Sequence, residues 1–312
     1  KVYMRTERIK SYDGTEIFVS IWDEIEKPKG VVEIAHGMCE YAGRYHAFAE
    51  FLNSRGYIVF AEDHRAHGRT ETKEEIGRHK GFIFEKSVND LIYFGRRLKE
   101  KYNLPVFYLG HSYGSLLGQS VLEESASGDF AAFALLGSAY MPTPLVNLGR
   151  ALLFPLYSVA KDWRPAFVRT ISDGLFGLKY KGDKGPSQWL TRDMERRQNF
   201  IDDEYCGIDV SINFFYSMMK GIAKANKTEN TLKINPDIPI ALFSGDMDPI
   251  GGYGKKINAL YNHYKQCGVK NVTLHLYSEA RHEVINELEK ETVYNDIAEF
   301  FDSCLNNQSS AD

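Results

Sequence analysis

The chain has 312 residues, 43% hydrophobic and 26% charged. That is the composition of a globular protein with material for a large core, and it excludes a disordered chain. A formal charge of −4 leaves no basic excess to neutralise phosphates, which excludes general nucleic-acid binding. The four cysteines, at 39, 206, 267 and 304, form no C-x-x-C pair, so neither a disulfide scaffold nor a cysteine zinc site is expected.

In chain order, residues 2–9 and 16–22 read as two strands around the turn Asp13-Gly14. Residues 31–35 form a short apolar run ending at His36-Gly37. A helical stripe of Tyr45, Phe48, Ala49 and Leu52 follows, closed by Gly56. A strand at 57–61, a helix over 88–98, a strand at 106–109, a helix over 115–122 and a strand at 131–136 continue the alternation. This rhythm predicts an α/β fold with a mostly parallel central sheet flanked by helices.

The rhythm stops near Tyr140. Residues 140–235 lack strand-like runs, and a plain loop of that length is excluded. They are expected to be a helical insertion between two parts of one core, 1–139 and 236–312. Within the insertion, 179–186 reads as an exposed Gly- and Lys-rich loop. Strands resume at 238–243 and 272–277, with a helix over 256–267 between them. A last helix is expected from about 283 to 304, followed by a frayed polar tail from Asn306.

No stretch reaches about 18 apolar residues, so no transmembrane helix is expected. The charged start Lys1-Val-Tyr-Met-Arg-Thr-Glu-Arg lacks the apolar run of a signal peptide. Together with the cysteine usage, this gives a cytoplasmic expectation.

The sharpest chemical signal is Gly110-His111-Ser112-Tyr113-Gly114, a G-x-S-x-G segment after an apolar strand and before a helix. A serine on such a strand-to-helix turn is exposed beside a helix N-terminus, where N–H groups favour developing negative charge. Two N–H donors are needed for the oxyanion. Tyr113 supplies one, and Met38, after the strand ending at His36-Gly37, supplies the other.

The general base must come after Ser112 in this arrangement, which leaves His263, His275 and His282. His263 falls in a helix and His275 within a strand. His282 falls in a loop after a strand, where catalytic groups belong. For the acid, Asp246 and Asp248 both follow the strand 240–243. Proximity to that strand does not separate them.

With these residues, the sequence resembles the α/β-hydrolase family, and most of all its monoacylglycerol lipase and lysophospholipase branch, the serine aminopeptidase-like hydrolases. His36-Gly37-Met38-Cys39-Glu40 with Arg44-Tyr45 is similar to the branch's H-G-x-x-E…R-Y segment. Asp63-His64-Arg65-Ala66-His67-Gly68-Arg69-Thr70 resembles its D-x-R-G-H-G-x-S loop, with Ala66 and Thr70 as departures. Ser115 stands where many relatives carry Gly. Gly245-x-x-Asp248-Pro249 resembles the acid loop and decides for Asp248; Arg281-His282-Glu283 resembles the histidine segment.

The resemblance implies a Ser112–His282–Asp248 triad, no metal and no organic cofactor. It implies a serine esterase acting on lipid-like esters, with 140–235 as a cap over the site. Leu145, Val146, Leu148, Leu152, Leu153, Phe154 and Leu156 then form either a lipid- or membrane-touching surface or core packing. Glu40 and Arg44, four apart, pair across a turn and are placed near the alcohol side of the substrate. Cys39, beside an oxyanion donor, is expected to be a point where thiol reagents inhibit.

Two rival readings remain. One is an aminopeptidase-type amide hydrolase with an acidic cap residue, among Glu195, Asp202, Asp203 and Glu204, holding the substrate amine. The other is a non-catalytic binding protein on the same fold.

Overall fold

The computed structural model describes residues 3–180, 182–183 and 185–309. Eight strands form one sheet in the order β1-β2-β4-β3-β5-β6-β7-β8. They are β1 (Arg5–Lys10), β2 (Glu16–Trp22), β3 (Gly30–Ala35), β4 (Tyr57–Glu62), β5 (Val106–His111), β6 (Ala132–Leu136), β7 (Ile240–Gly245) and β8 (Val272–Tyr277). β1 and β2 run antiparallel to their neighbours. From β4 to β8 every pairing is parallel.

The apolar runs of the central strands follow from two-sided burial. Val31, Ile58, Phe60 and Tyr108 face one core. Val32, Ile34, Val59, Phe107 and Leu109 face the other. Period-two alternation thus separates two cores from one continuous apolar run.

The core helices are α1 (His46–Ser54), α2 (Ile83–Tyr102), α3 (Tyr113–Glu124), α9 (Lys255–Gln266) and α10 (Lys290–Ser309). α1 closes at Arg55-Gly56 and α2 at a left-handed Asn103, φ 51°. Between β6 and β7 lie α4 (Thr143–Ala160), α5 (Ala166–Gly177), α6 (Met194–Asp202), α7 (Ile212–Ala225) and the short α8 (Thr228–Thr231). No strand occurs there among the described residues.

Several boundaries differ from the sequence expectation. α2 begins at Ile83, because Ile83 and Phe84 are buried and continue its apolar face. α10 begins at Lys290, not near Glu283. Val284–Asn286 instead form a separate 3₁₀ turn with all three residues buried, while Leu288 is exposed. The tail is helical to Ser309; residues 310–312, like Val2 of the first expected strand, lie outside the described residues.

In the expected loop 179–186, Lys181 and Lys184 are outside the described residues, and Tyr180 is buried rather than exposed. No helix among the described residues is long and apolar enough to cross a membrane.

Candidate active site

Ser112 sits between the end of β5 and the first residue of α3 with φ 50° and ψ −112°. A side-chain-bearing residue adopts such a conformation only where its surroundings enforce it. Here the Ser112 N–H donates to the Leu136 carbonyl at 2.9 Å, and its carbonyl accepts from Leu116 N–H at 3.0 Å. The Ser115 hydroxyl donates to that same carbonyl at 2.6 Å, so the departure from Gly adds a bond to the turn.

The two flanking glycines are required by close approach. A Cβ on Gly110 would lie 2.5 Å from the Gly114 oxygen, and one on Gly114 would lie 2.0 Å from the Ala35 oxygen. Gly114→Ala is therefore expected to destabilise the fold by about 3 kcal/mol, the upper range for overpacking a well-packed interior. Urea unfolding of the purified variant measures it; an unchanged midpoint contradicts this packing.

The acid and histidine loops touch because Gly245 ends β7 without a side chain. A Cβ there would fall 1.9 Å from the Ala280 oxygen. Asp246 Oδ1 accepts from Glu279 N–H at 2.7 Å, and Met247 N–H donates to Ala280 O at 3.0 Å. Asp246 thus clamps the two loops. Asp248 is fully buried, and its Oδ1 lies 3.0 Å from His282 Nδ1. That contact is at ion-pair distance without a well-aligned N–H.

His282 is 1% exposed, with the His111 and Trp189 rings 5.0 Å and 5.1 Å from its own. Its Nε2 has no hydrogen-bond partner among the described residues. Ser112 and His282 are thus not bonded at rest; catalytic hydrogen bonds are commonly loose before substrate binds. His263 packs on Tyr140 and bonds Thr231, and His275 stacks on Phe243 within the sheet. Neither shares the loops around Ser112.

The insertion reaches this site through Tyr180, Asp183 and residues 188–192. Trp189 and Leu190 carbonyls accept from the His282 and Glu283 N–H groups at 3.2 and 2.7 Å. Tyr180 donates to Met247 O at 2.6 Å. Asp183 accepts from both Arg197 and Arg281, and the Trp189 indole donates to Asp173 of α5 at 2.7 Å. None of these anchors stands out in the sequence, because each partner is remote along the chain.

Glu40 and Arg44 pair as their spacing implies, though no α-helix joins them: Glu40 precedes the 3₁₀ turn Ala42–Tyr45 that carries Arg44. Both are engaged internally. Glu40 accepts from Gly37 N–H at 2.6 Å, Tyr45 OH at 2.9 Å and His111 Nδ1 at 3.0 Å. Arg44 grips both oxygens of Glu283 at 2.8 Å.

Burial works to raise the Glu40 carboxyl, but Arg44 and His111 outweigh it and hold it well below the usual range. Burial likewise opposes charge on His111, and Glu40 nonetheless raises it. The network ties the loop carrying Met38 to the residue before Ser112 and the residue after His282.

The Met38 N–H has no acceptor among the described residues, and that of Tyr113, first in α3, has none within the helix. Burial pushes the Cys39 thiol up to about 12, leaving little thiolate near neutral pH, so the expected reactivity of Cys39 is not supported. Among the described residues no group of three or more His, Cys, Asp or Glu side chains is arranged to hold a metal.

A sheet with one antiparallel edge, a strained serine after β5, and acid and histidine loops after β7 and β8 define an α/β-hydrolase fold. The chain matches the family described as Serine aminopeptidase, S33, over residues 26–289, and it belongs to that family. It is 35% identical over 150 residues to a monoacylglycerol lipase of Mycolicibacterium smegmatis, covering 47% of this chain and 49% of the relative. It is 34% identical over 146 residues to a monoglyceride lipase homolog of Monkeypox virus, covering 46% and 49%.

The chain thus spans about half the length of the curated relatives it matches. A thermostable carboxyl esterase from Bacillus coagulans superposes with a TM-score of 0.87 at 24% identity, covering 98% of this chain and all of that one. That likeness concerns the fold.

Proposed function

We propose that the chain is a serine carboxylic-ester hydrolase acting on lipid-like esters, such as monoacylglycerols or lysophospholipids. The observation that carries this is Ser112 at φ 50° at the head of α3, beside a buried His282–Asp248 pair. His282 takes the Ser112 proton as Oγ attacks the ester carbonyl. The Met38 and Tyr113 N–H groups receive the oxyanion. The alcohol leaves with the proton from His282, and water, activated by the same imidazole, then frees the acid and restores Ser112.

Glu40 and Arg44 act by positioning loops, since their polar atoms are taken up internally. This reading replaces the expected contact with substrate. Residues 140–235 act as the cap, with Tyr180, Asp183 and residues 188–192 clasping the histidine loop. The four free cysteines agree with a reducing, cytoplasmic setting.

The cap surface carries the lipid-facing part of the reading. Leu145, Leu148, Leu152 and Phe154 on α4, and Phe167, Ile171 and Leu175 on α5, are exposed, whereas only Val146 of α4 is buried. An apolar surface of this kind suits transient membrane contact. Leu148→Glu/Leu152→Glu is expected to lower sedimentation with phosphatidylcholine vesicles several-fold while leaving p-nitrophenyl acetate turnover unchanged. Equal sedimentation contradicts it.

The amide-hydrolase alternative has weaker support. Asp203 is engaged by the Tyr41 hydroxyl at 2.9 Å, Glu204 pairs with Lys73, and Glu195 and Asp202 lie exposed on α6. Turnover of p-nitrophenyl esters from C2 to C16 against an aminoacyl p-nitroanilide tests the choice. Ester turnover is expected to dominate; faster amide turnover overturns the esterase reading.

A further inference from the structure

A buried polar chain runs from the sheet to the oxyanion loop. Glu62, at the end of β4, is 1% exposed, and His36, His64 and His67 are fully buried. Glu62 Oε1 lies 2.8 Å from His64 Nδ1. His64 Nε2 lies 3.2 Å from the His36 carbonyl. The His64 backbone N–H donates to His36 Nε2 at 2.9 Å. His36 Nδ1 lies 2.7 Å from the Gly37 carbonyl.

Proton bookkeeping assigns every tautomer. His36 Nε2 accepts, so its proton sits on Nδ1 and is donated to Gly37 O. His64 Nε2 faces only a carbonyl, so it carries the proton, and its Nδ1 must accept. The group opposite Nδ1 is Glu62, which therefore donates an O–H. A neutral acid also suits its second oxygen, which has no partner among the described residues.

The Gly37 carbonyl belongs to the same trans peptide unit as the Met38 N–H. A trans peptide points its C=O and N–H in opposite directions, so fixing one aims the other. We propose that Glu62, as a neutral carboxylic acid acting through His64 and His36, is a positioning residue that locks the Gly37–Met38 peptide with its N–H aimed into the oxyanion site. The catalytic consequence rests on the esterase reading above; the tautomers do not.

The surroundings favour the neutral acid. Burial, then Asp90 of α2 and Glu33 of β3, raise the Glu62 carboxyl well above its usual value, and Asp63 adds to this. Arg65 alone opposes, and it is engaged by Asp90 and Asp13. The Tyr108 and Tyr113 hydroxyls also face this cluster. Burial pushes His64 down to about 3, which keeps it neutral. The sign follows: raising pH removes the Glu62 proton, the His64 proton moves to Nδ1 to face the carboxylate, and the Nε2–H bond that holds the His36 carbonyl at the head of this loop is lost on the alkaline side.

Two measurements on the full chain test this. Imidazole ¹⁵N spectra, assigned with His64→Gln and His36→Gln, are expected to show His64 protonated on Nε2 and His36 on Nδ1 at pH 7. A His64 proton on Nδ1 overturns the proposal whether or not the chain hydrolyses esters. In p-nitrophenyl butyrate turnover, Glu62→Gln, a neutral donor of the same shape, is expected to retain kcat within about twofold and to lose the alkaline fall of the wild type.

Glu62→Leu is expected to lower kcat about 100-fold, the size of losing one oxyanion donor, with KM little changed. Gln as impaired as Leu, or the same alkaline fall in Gln and wild type, overturns the proposal. Should the Leu variant not fold, the Gln profile decides alone.

Discussion

Ser112→Ala is expected to lower turnover of a medium-chain p-nitrophenyl ester by about 10⁶-fold in kcat, the loss seen when a triad nucleophile is removed. The size follows from the geometry around residue 112. The turn holds residue 112 at the mouth of α3. The Ser115 hydroxyl, three residues on, is spent on the Ser112 carbonyl. Alanine fits the same φ as poorly as serine does, so the fold should survive and the loss should be chemical. Steady-state kinetics with a matched urea midpoint measure it. A variant within tenfold of wild type contradicts the assignment of the nucleophile.

Asp248→Asn is expected to cost about 10⁴-fold in kcat, the loss seen when a triad aspartate is exchanged for its amide. Asp248 Oδ1 is the carboxylate oxygen beside His282 Nδ1, and it is anchored by accepting from Ile250 N–H at 2.8 Å. With Oδ1 kept as the oxygen by the Ile250 N–H and the amide NH₂ at the otherwise unpartnered second position, what is lost is the negative charge that orients His282 and stabilises the imidazolium formed as it takes the Ser112 proton. Asp246→Asn is the matching control. Its oxygen only accepts from Glu279 N–H, an interaction the amide oxygen retains, so kcat should stay within about twofold. Equal losses at 246 and 248 contradict the choice between them.

Much of the core was legible because parallel strands buried on both sides read as nearly unbroken apolar runs, as β4 to β7 do, whereas the edge strand β8 carries Thr273 and His275 and is only partly buried. The elbow was legible because its strain demands glycine on either side of the serine. The start of α10 was misread because Val284 and Leu288 share a helical spacing by coincidence. The first is buried in a 3₁₀ turn and the second is exposed.

The internal partners of Glu40 and Arg44 were hidden for a different reason. Their mutual spacing is local, but the partners that consume them, His111 and Glu283, come from distant segments. The same holds for Glu62, whose connection to Gly37 runs through histidines 28 residues apart. Nor does any local pattern announce the grip on the histidine loop, since Tyr180, Asp183 and Trp189 act through bonds to residues distant along the chain.

The most direct measurement of the central claim is covalent trapping. The purified chain is treated with an alkyl fluorophosphonate, and the adduct is located by peptide mass spectrometry. The account predicts one equivalent on Ser112, none in Ser112→Ala, and loss of ester turnover in step with labelling. An adduct at another residue, or full turnover by the labelled protein, contradicts it.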